Sequence, residues 1–351
     1  MTDHSASEKK LTDMLFGRRD LALISSMGSG RVTDIDALTE GLDPDNESLI
    51  YMLSLSLLGY RTGFDMFPEN AVPRLQGLHR YYQVRNGAGM PWFRNQLDRL
   101  GKAGIPVMLT GDTAMRAYYS PDNPRMFSQY GLTVVSEKYD EALVLLRDAV
   151  KNADKDSNFD RTMQDITVIR LFEGVPDKRF TIERSLWTRA SKFEYLGHEV
   201  YVPSKEDMLI YLLCVPYGPW VLEEDINLRT RRVTDACAIL MADKDFDYGY
   251  LANVASMSGA YDTLRYYLCL INVCVPGLIP DEVWSEHFAA DDSYEEYLNL
   301  MTDFCNVRKD GPAPGGRITS KSPSALLKKA QIKSAREKVL RFMEKSREVH
   351  G

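Results

Sequence analysis

The stretch KAGIPVMLTGDTAMRAYYSPDNPRMFSQYGLTVV, residues 102–135, decides the fold prediction. Residues 105–109 are a short apolar run next to a glycine, which predicts a buried strand. Residues 113–119 predict a helix and residues 120–124, with two prolines, a loop. Residues 132–135 are apolar and β-branched and predict a second strand, which we expect to lie beside the first. This order of strand, glycine turn, helix, loop and strand is typical of an α/β core that handles phosphate groups.

Helical patterns flank this stretch on both sides. Before it, residues 49–58 predict a capped helix that stops at a glycine, and residues 75–84 and 92–100 predict two further helices. After it, residues 166–172 predict a third strand and residues 199–203, closed by a proline, a short edge strand. We therefore predict an α+β protein with a small mixed sheet of three to five strands and helices before and after it.

The texture of the chain suggests five regions. They are a disordered tail at 1–10, an N-terminal helical region at 11–100, an α/β core at 101–203, a C-terminal helical domain at 204–310, and a linker with a basic helix at 311–351.

Composition narrows the class of protein. The formal net charge of −7 argues against a general nucleic-acid coat, and 44% hydrophobic with 26% charged residues is ordinary for a globular chain. Five scattered cysteines without a CxxC pair indicate buried free thiols in a reducing compartment. No apolar run is long enough for a bilayer span and no segment resembles a signal peptide, so we expect a cytoplasmic protein without membrane contact.

Metal-assisted nucleotidyl transfer needs carboxylates that hold two divalent ions. A common arrangement has a glycine-led turn after one strand and an Asp-x-Asp pair on the next, because alternate side chains of a strand face the same side. The order of elements here fits that arrangement. The two residues at the acidic positions are instead Gln129 and Gly131.

The segment resembles the uncharacterised nucleotidyltransferase family, a branch of the nucleotidyltransferase superfamily. The matching residues are Ala103-Gly104-Ile105-Pro106-Val107, Gly111, Tyr119, Pro121-Asp122, Arg125 and Ser128. Weaker similarity covers residues 11–279, with specific motifs only in 104–135. The resemblance implies a nucleotidyltransferase-like core that binds a nucleotide or another phosphorylated molecule. The implied binding residues are Gly111, Asp112, Arg125 and Ser128.

The departures from the family concern its chemistry. The family's lysine before the glycine is Thr110, its two aspartates are Gln129 and Gly131, and a third acidic position falls on Ile169. A glutamine oxygen is a weak neutral ligand for Mg²⁺ and glycine supplies none. We therefore expect no metal site, and the resemblance then implies a pseudoenzyme that binds a nucleotide, a phosphorylated ligand or a protein partner.

Two other functions stay open. The first is an active transferase with relocated acids, in which Asp112 is a catalytic candidate and Mg²⁺ is required; the competing interpretation of Asp112 is a carboxylate that caps the first helical turn. The second is a helical adaptor unrelated to nucleotides.

Two basic groups could meet other partners. Arg229, Arg231 and Arg232 could grip a phosphate or form a solvated, salt-bridged face. The basic C-terminal helix could dock on the body of the protein, on a protein partner or on RNA.

Overall fold

The structure, a computed structural model, describes residues 5–119, 125, 130–147, 169–173, 183–214, 226–243, 245–289, 292–309 and 323–350. The chain divides into two compact units. One is drawn from Met1–Tyr51 and Met208–Gly351, and the other is Met52–Asp207. We call them the helical unit and the sheet unit.

The described part of the chain contains fifteen α-helices and two short 3₁₀ helices. In chain order the α-helices are α1 Ala6–Leu15, α2 Arg18–Ser29, α3 Ile35–Thr39, α4 Leu49–Thr62, α5 Val72–Lys102, α6 Gly111–Ala114, α7 Tyr139–Leu145, α8 Glu183–Arg189, α9 Lys205–Leu213, α10 Ile226–Ala242, α11 Tyr248–Ser258, α12 Tyr261–Cys274, α13 Asp281–Glu286, α14 Asp292–Lys309 and α15 Pro323–His350. The 3₁₀ helices are Met115–Ala117 and Ser136–Lys138.

The sheet unit contains a five-stranded mixed sheet with the order β3-β2-β1-β5-β4. Its strands are β1 Val107–Leu109, β2 Tyr130–Val134, β3 Ile169–Glu173, β4 Ser191–Tyr195 and β5 His198–Val202. β1 is antiparallel to β2 and parallel to β5, β2 is parallel to β3, and β4 is antiparallel to β5. The α+β prediction with a small mixed sheet is confirmed.

The two strands predicted within residues 102–135 lie side by side. Val107 pairs with Val134 and Leu109 with Leu132 in an antiparallel ladder. Every residue of both strands is buried, which fits their largely apolar sequences and their place inside the sheet, between β3 and β5. β1 and β2 are therefore interior strands of the sheet.

The predicted edge strand at 199–203 is corrected by the sheet order. β5 lies inside the sheet, between β1 and β4, and β4 is the edge strand. β4 has the sequence SKFEY and is mostly exposed, so it lacks the apolar run that marks a strand in a sequence. A two-residue turn joins the two strands, with Leu196 at φ 55° and Gly197 at φ 80°, which fits a type I′ hairpin.

The two helices predicted at 75–84 and 92–100 are one continuous helix, α5, that runs through Pro91. Its buried side chains recur every three to four residues, so one buried face continues across the proline. On that face Phe93 stacks on Tyr130 of β2, with ring centroids 4.3 Å apart. The packing joins α5 to the sheet unit, whereas the sequence placed residues up to 100 in a separate helical region.

The helical unit joins the two ends of the chain. α1 packs on α14, and α2 packs on α10 and α12. The chain thus divides differently from the predicted regions 11–100 and 204–310, because α1 and α2 pack against helices more than two hundred residues later in the chain. The predicted boundaries were based on local composition, which does not show contacts between segments that are far apart in the chain.

Residues 6–10 of the predicted disordered tail at 1–10 are helical. α1 begins at Ala6, and Ser5 and Glu8 form a reciprocal capping box with bonds of 3.1 Å and 2.9 Å. Glu8 also accepts a 2.7 Å hydrogen bond from Tyr294. These contacts order residues 5–10, while residues 1–4 and the predicted linker at 311–316 lie outside the described residues.

All five cysteines are free thiols. Cys214, Cys237, Cys269 and Cys305 are buried and Cys274 is half-buried. Burial raises the pKa of Cys305 to about 11 and that of Cys269 to about 12, so both remain protonated thiols at neutral pH. Among the described helices, none combines the length and the apolar character that crossing a membrane requires.

Candidate functional site

The site that the sequence points to is the turn that follows β1. Gly111 has a φ of 52°, a left-handed value that favours glycine, and it opens the four-residue helix α6. The backbone N–H of Thr113 donates to the carbonyl of Thr110 at 3.2 Å. The glycine-led turn that the resemblance implies is therefore present at this point of the chain.

Gly131, where the family has its second aspartate, is clamped from two sides. Its carbonyl accepts a 3.0 Å hydrogen bond from the N–H of Thr110, and its own N–H donates to Thr113 Oγ1 at 2.8 Å. A Cβ atom on residue 131 would lie 2.8 Å from the Thr110 carbonyl oxygen and 2.9 Å from its hydroxyl oxygen. No carboxylate side chain fits there unless the backbone shifts.

The register of β2 and β3 changes the assignment of the third acidic position. Gly131 pairs with Arg170, whereas Ile169 pairs with Tyr130. Paired residues of adjacent strands share one face, so the position that corresponds to Gly131 is 170 rather than 169. Arginine supplies no ligand oxygen for a metal. The other two predicted residues, Ser128 and Gln129, lie outside the described residues.

The structure brings two of the predicted binding residues together. Arg125 Nη2 and Asp112 Oδ1 form an ion pair at 2.9 Å. The side chain of Arg125 is 7% exposed and that of Asp112 is 22% exposed, so the pair is largely shielded from solvent. Asp112 therefore balances a buried guanidinium, which makes it a poor candidate for a metal ligand.

Acidic and other metal-binding side chains do not gather elsewhere in the described residues. No group of three or more His, Cys, Asp or Glu residues in that part of the chain is placed to hold a metal ion. The helical-adaptor alternative assumed a chain without a sheet, and that fold is not the observed one, because the described residues include a five-stranded sheet.

The face of the sheet that carries Tyr130 is occupied by packing. The Tyr130 hydroxyl donates to the carbonyl of Asn86 at 3.1 Å, and burial raises the pKa of this phenol. Its ring also lies beside Trp92, with centroids 6.3 Å apart. The functional interest therefore lies with the face of Gly131, where Thr113 is a contact that the sequence reasoning missed.

The arginine group of the helical unit has a structural role at its first member. Arg229 Nη1 donates to the carbonyl of Leu15 at 2.7 Å, which satisfies an end of α1. The next residue, Thr230, donates to Asp20 Oδ1 at 2.8 Å, and burial raises the pKa of that carboxyl. These bonds favour the structural interpretation of Arg229 over phosphate binding.

Comparison with known protein families, with curated proteins and with solved structures finds no match for this chain. The resemblance to the nucleotidyltransferase family therefore rests on the motif residues of the sequence alone.

Proposed function

We propose that this chain is a nucleotidyltransferase-like protein that does not catalyse metal-dependent nucleotidyl transfer. It binds instead a nucleotide or another phosphorylated molecule at the turn of Gly111, without a divalent ion. The main support is the packing at Gly131, where a Cβ would lie 2.8 Å from a backbone oxygen. Without an acid at 131, two ions and a triphosphate have too few ligands.

The sheet supports the relation to nucleotidyltransferases. An antiparallel β1–β2 pair, a glycine turn between them, and a third strand parallel to β2 follow the order that the resemblance implies. A fold alone does not establish an activity, so the functional proposal depends on the residues of the site.

Among the described residues, Arg125 is a cation beside this turn that a phosphate could contact. Its guanidinium already contacts Asp112, so a bound phosphate would share a charge that is partly neutralised. Binding should therefore be modest, and Mg²⁺ should not strengthen it, because the carboxylate found beside the turn in the described residues, Asp112, is engaged with arginine.

Calorimetric titration with ATP, CTP, GTP and UTP, in Mg²⁺ and in EDTA, tests both parts of the proposal. We expect at least one nucleotide to bind equally well in both buffers, and Arg125→Lys to weaken it by loss of the planar two-pronged contact. The matched control is Arg80→Lys, at an exposed position of α5. Tight binding that requires Mg²⁺ would refute the proposed loss of the metal site, and failure of all four nucleotides to bind would refute a nucleotide as the ligand.

A further inference from the structure

The last helix, α15, concentrates positive charge in an acidic chain. It contains eight basic and three acidic residues and so has a formal charge of +5, which leaves −12 on the rest of a chain whose total is −7. Over residues 327–346, where its side chains are described, seven are basic and two are acidic. These basic residues are Lys328, Lys329, Lys333, Arg336, Lys338, Arg341 and Lys345.

The apolar side of α15 is already used within the helical unit. The helix packs on α14 and α11, and Val339 and Phe342 are buried. The ring of Phe342 lies 6.2 Å from that of Tyr297, and Ser346 donates to Asp262 at 3.3 Å. Folding of α15 therefore does not require a partner for its exposed basic residues.

A second face, about a quarter of a turn round the helix from the buried residues, is polar and exposed along its length. Its members recur every three to four residues and so lie in one row; they are Gln331, Ser334, Lys338, Arg341 and Lys345. Lys338, Arg341 and Lys345 form no ion pair within the described part of the chain, whereas Lys333 pairs with Glu337 at 3.9 Å.

The same face offers little to an apolar partner. Over residues 327–346 the large hydrophobic side chain that is exposed is Leu327, at 63%, near the start of the helix. A helix that lies in a membrane interface needs an apolar face of Trp, Phe or Leu, and here that side is buried against other helices. A strongly charged polymer fits the face better than a bilayer does.

We propose that this face binds the phosphodiester backbone of single-stranded RNA. At a rise of about 1.5 Å per residue, Lys338, Arg341 and Lys345 span about 10.5 Å, and a flexible strand can bend its phosphates along so short a straight row. No aromatic side chain is exposed on the described part of this face for a base to stack on, so contact is with phosphate and indifferent to sequence. The acidic residues elsewhere in the chain should repel the RNA little, because charge interactions are screened beyond about 8 Å at physiological salt.

Fluorescence anisotropy of the full chain with a labelled single-stranded RNA of mixed sequence, over a range of KCl concentrations, tests this inference independently of the nucleotide proposal. The test variant is Lys338→Gln/Arg341→Gln/Lys345→Gln. The control changes three exposed basic residues of α5 and its end, Arg74→Gln/Arg80→Gln/Lys102→Gln. We expect the test variant to lose at least about tenfold in affinity at low salt, with a log–log salt slope smaller by about 2, and the control to keep both.

Arg341→Gln alone should reduce the slope by about 0.7, which guards against an effect of the triple change on folding. Absence of salt-dependent binding by the unmodified chain would overturn the proposal, as would an equal loss in the control. It would also be overturned if a duplex of the same length bound more tightly, if an acidic peptide of equal charge competed as well as RNA, or if anionic vesicles captured the chain through the same residues.

Discussion

Replacement of Gly131 by alanine should loosen the β1–β2 ladder. The new Cβ would stand 2.8 Å from the carbonyl oxygen of Thr110, and contacts this short are not relieved by a side-chain rotation because that oxygen belongs to the backbone. Crowding of this kind costs about 1–3 kcal/mol. The Thr110 N–H to Gly131 carbonyl bond, 3.0 Å long, would weaken as the strands part and would add up to about 1 kcal/mol.

Part of this loss is offset because alanine restricts the unfolded chain, which contributes about 0.4–1 kcal/mol of stability. The expected net destabilisation is about 2 kcal/mol. Amide hydrogen exchange at Thr110 reports it directly, since that N–H is the donor in the affected bond, and 2 kcal/mol corresponds to roughly 30-fold faster exchange. Aspartate at 131 should cost more, because it also brings a charge into a buried strand.

The matched control is Gly77→Ala in α5, where a Cβ would meet no atom within 4 Å. That change should leave exchange at Thr110 as slow as in the unmodified protein, and alanine should favour the helix by about 0.5–1 kcal/mol. If Gly131→Ala exchanged at Thr110 within about twofold of the unmodified rate, position 131 would have room for a side chain. The packing at Gly131 would then give no support to the proposal that the chain cannot hold an aspartate at this position.

Three further changes have defined outcomes. Asp112→Asn removes the charged partner of buried Arg125 and should lower the free energy of unfolding of the sheet unit by about 2 kcal/mol in urea titration. Gly259→Ala should release α15, because residue 259 has a φ of 70° and a Cβ there would lie 2.5 Å from the carbonyl oxygen of Met343; limited proteolysis would detect it. His79 is buried, lacks hydrogen bonds from either ring nitrogen and has a lowered pKa through burial, so His79→Phe should reduce the loss of stability as pH falls through about 6.5.

The sign of the His79 effect follows from proton binding. The unfolded imidazole titrates near 6.5, while the folded one resists protonation, so acid favours unfolding and the stability is present above that pH. If the stability of His79→Phe fell between pH 7.5 and 5.5 by as much as that of the unmodified protein, this reasoning would be contradicted.

The other two changes have their own controls. For Gly259→Ala the control is Gly41→Ala, at a φ of 62° with open space around it. For Asp112, an equal loss in Glu141→Gln, from an exposed pair with Lys138, would contradict the role of burial.

The central strands were predictable because their residues signal burial locally. Residues 105–109 and 132–135 are apolar runs, and no alternative element suits them. β4 was not predictable, since the sequence SKFEY lies at an exposed edge and lacks both an apolar run and a turn before it. Its hairpin to β5 even places a leucine, Leu196, at a positive φ where glycine or asparagine would have marked the turn.

The division of the chain was not predictable from local composition. α5 continues through Pro91 because one buried face extends on both sides of the proline. What buries that face is a tertiary contact, such as the stacking of Phe93 on Tyr130, and local sequence does not show it. Within the candidate site, the ion pair of Asp112 with Arg125 joins residues whose sequence separation carries no signal. The clamp on Gly131 by Thr110 and Thr113 depends on the antiparallel register, which no single sequence fixes.

Titration of Mn²⁺ into the full chain with ATP, followed by the electron paramagnetic resonance signal of the free ion, asks whether the core can hold catalytic metals. Mn²⁺ takes the oxygen ligands that Mg²⁺ takes. We predict that the concentration of free Mn²⁺ is the same in a solution of protein and ATP as in a solution of ATP alone. Tight binding of two Mn²⁺ ions per chain in the presence of ATP would contradict the loss of the metal site.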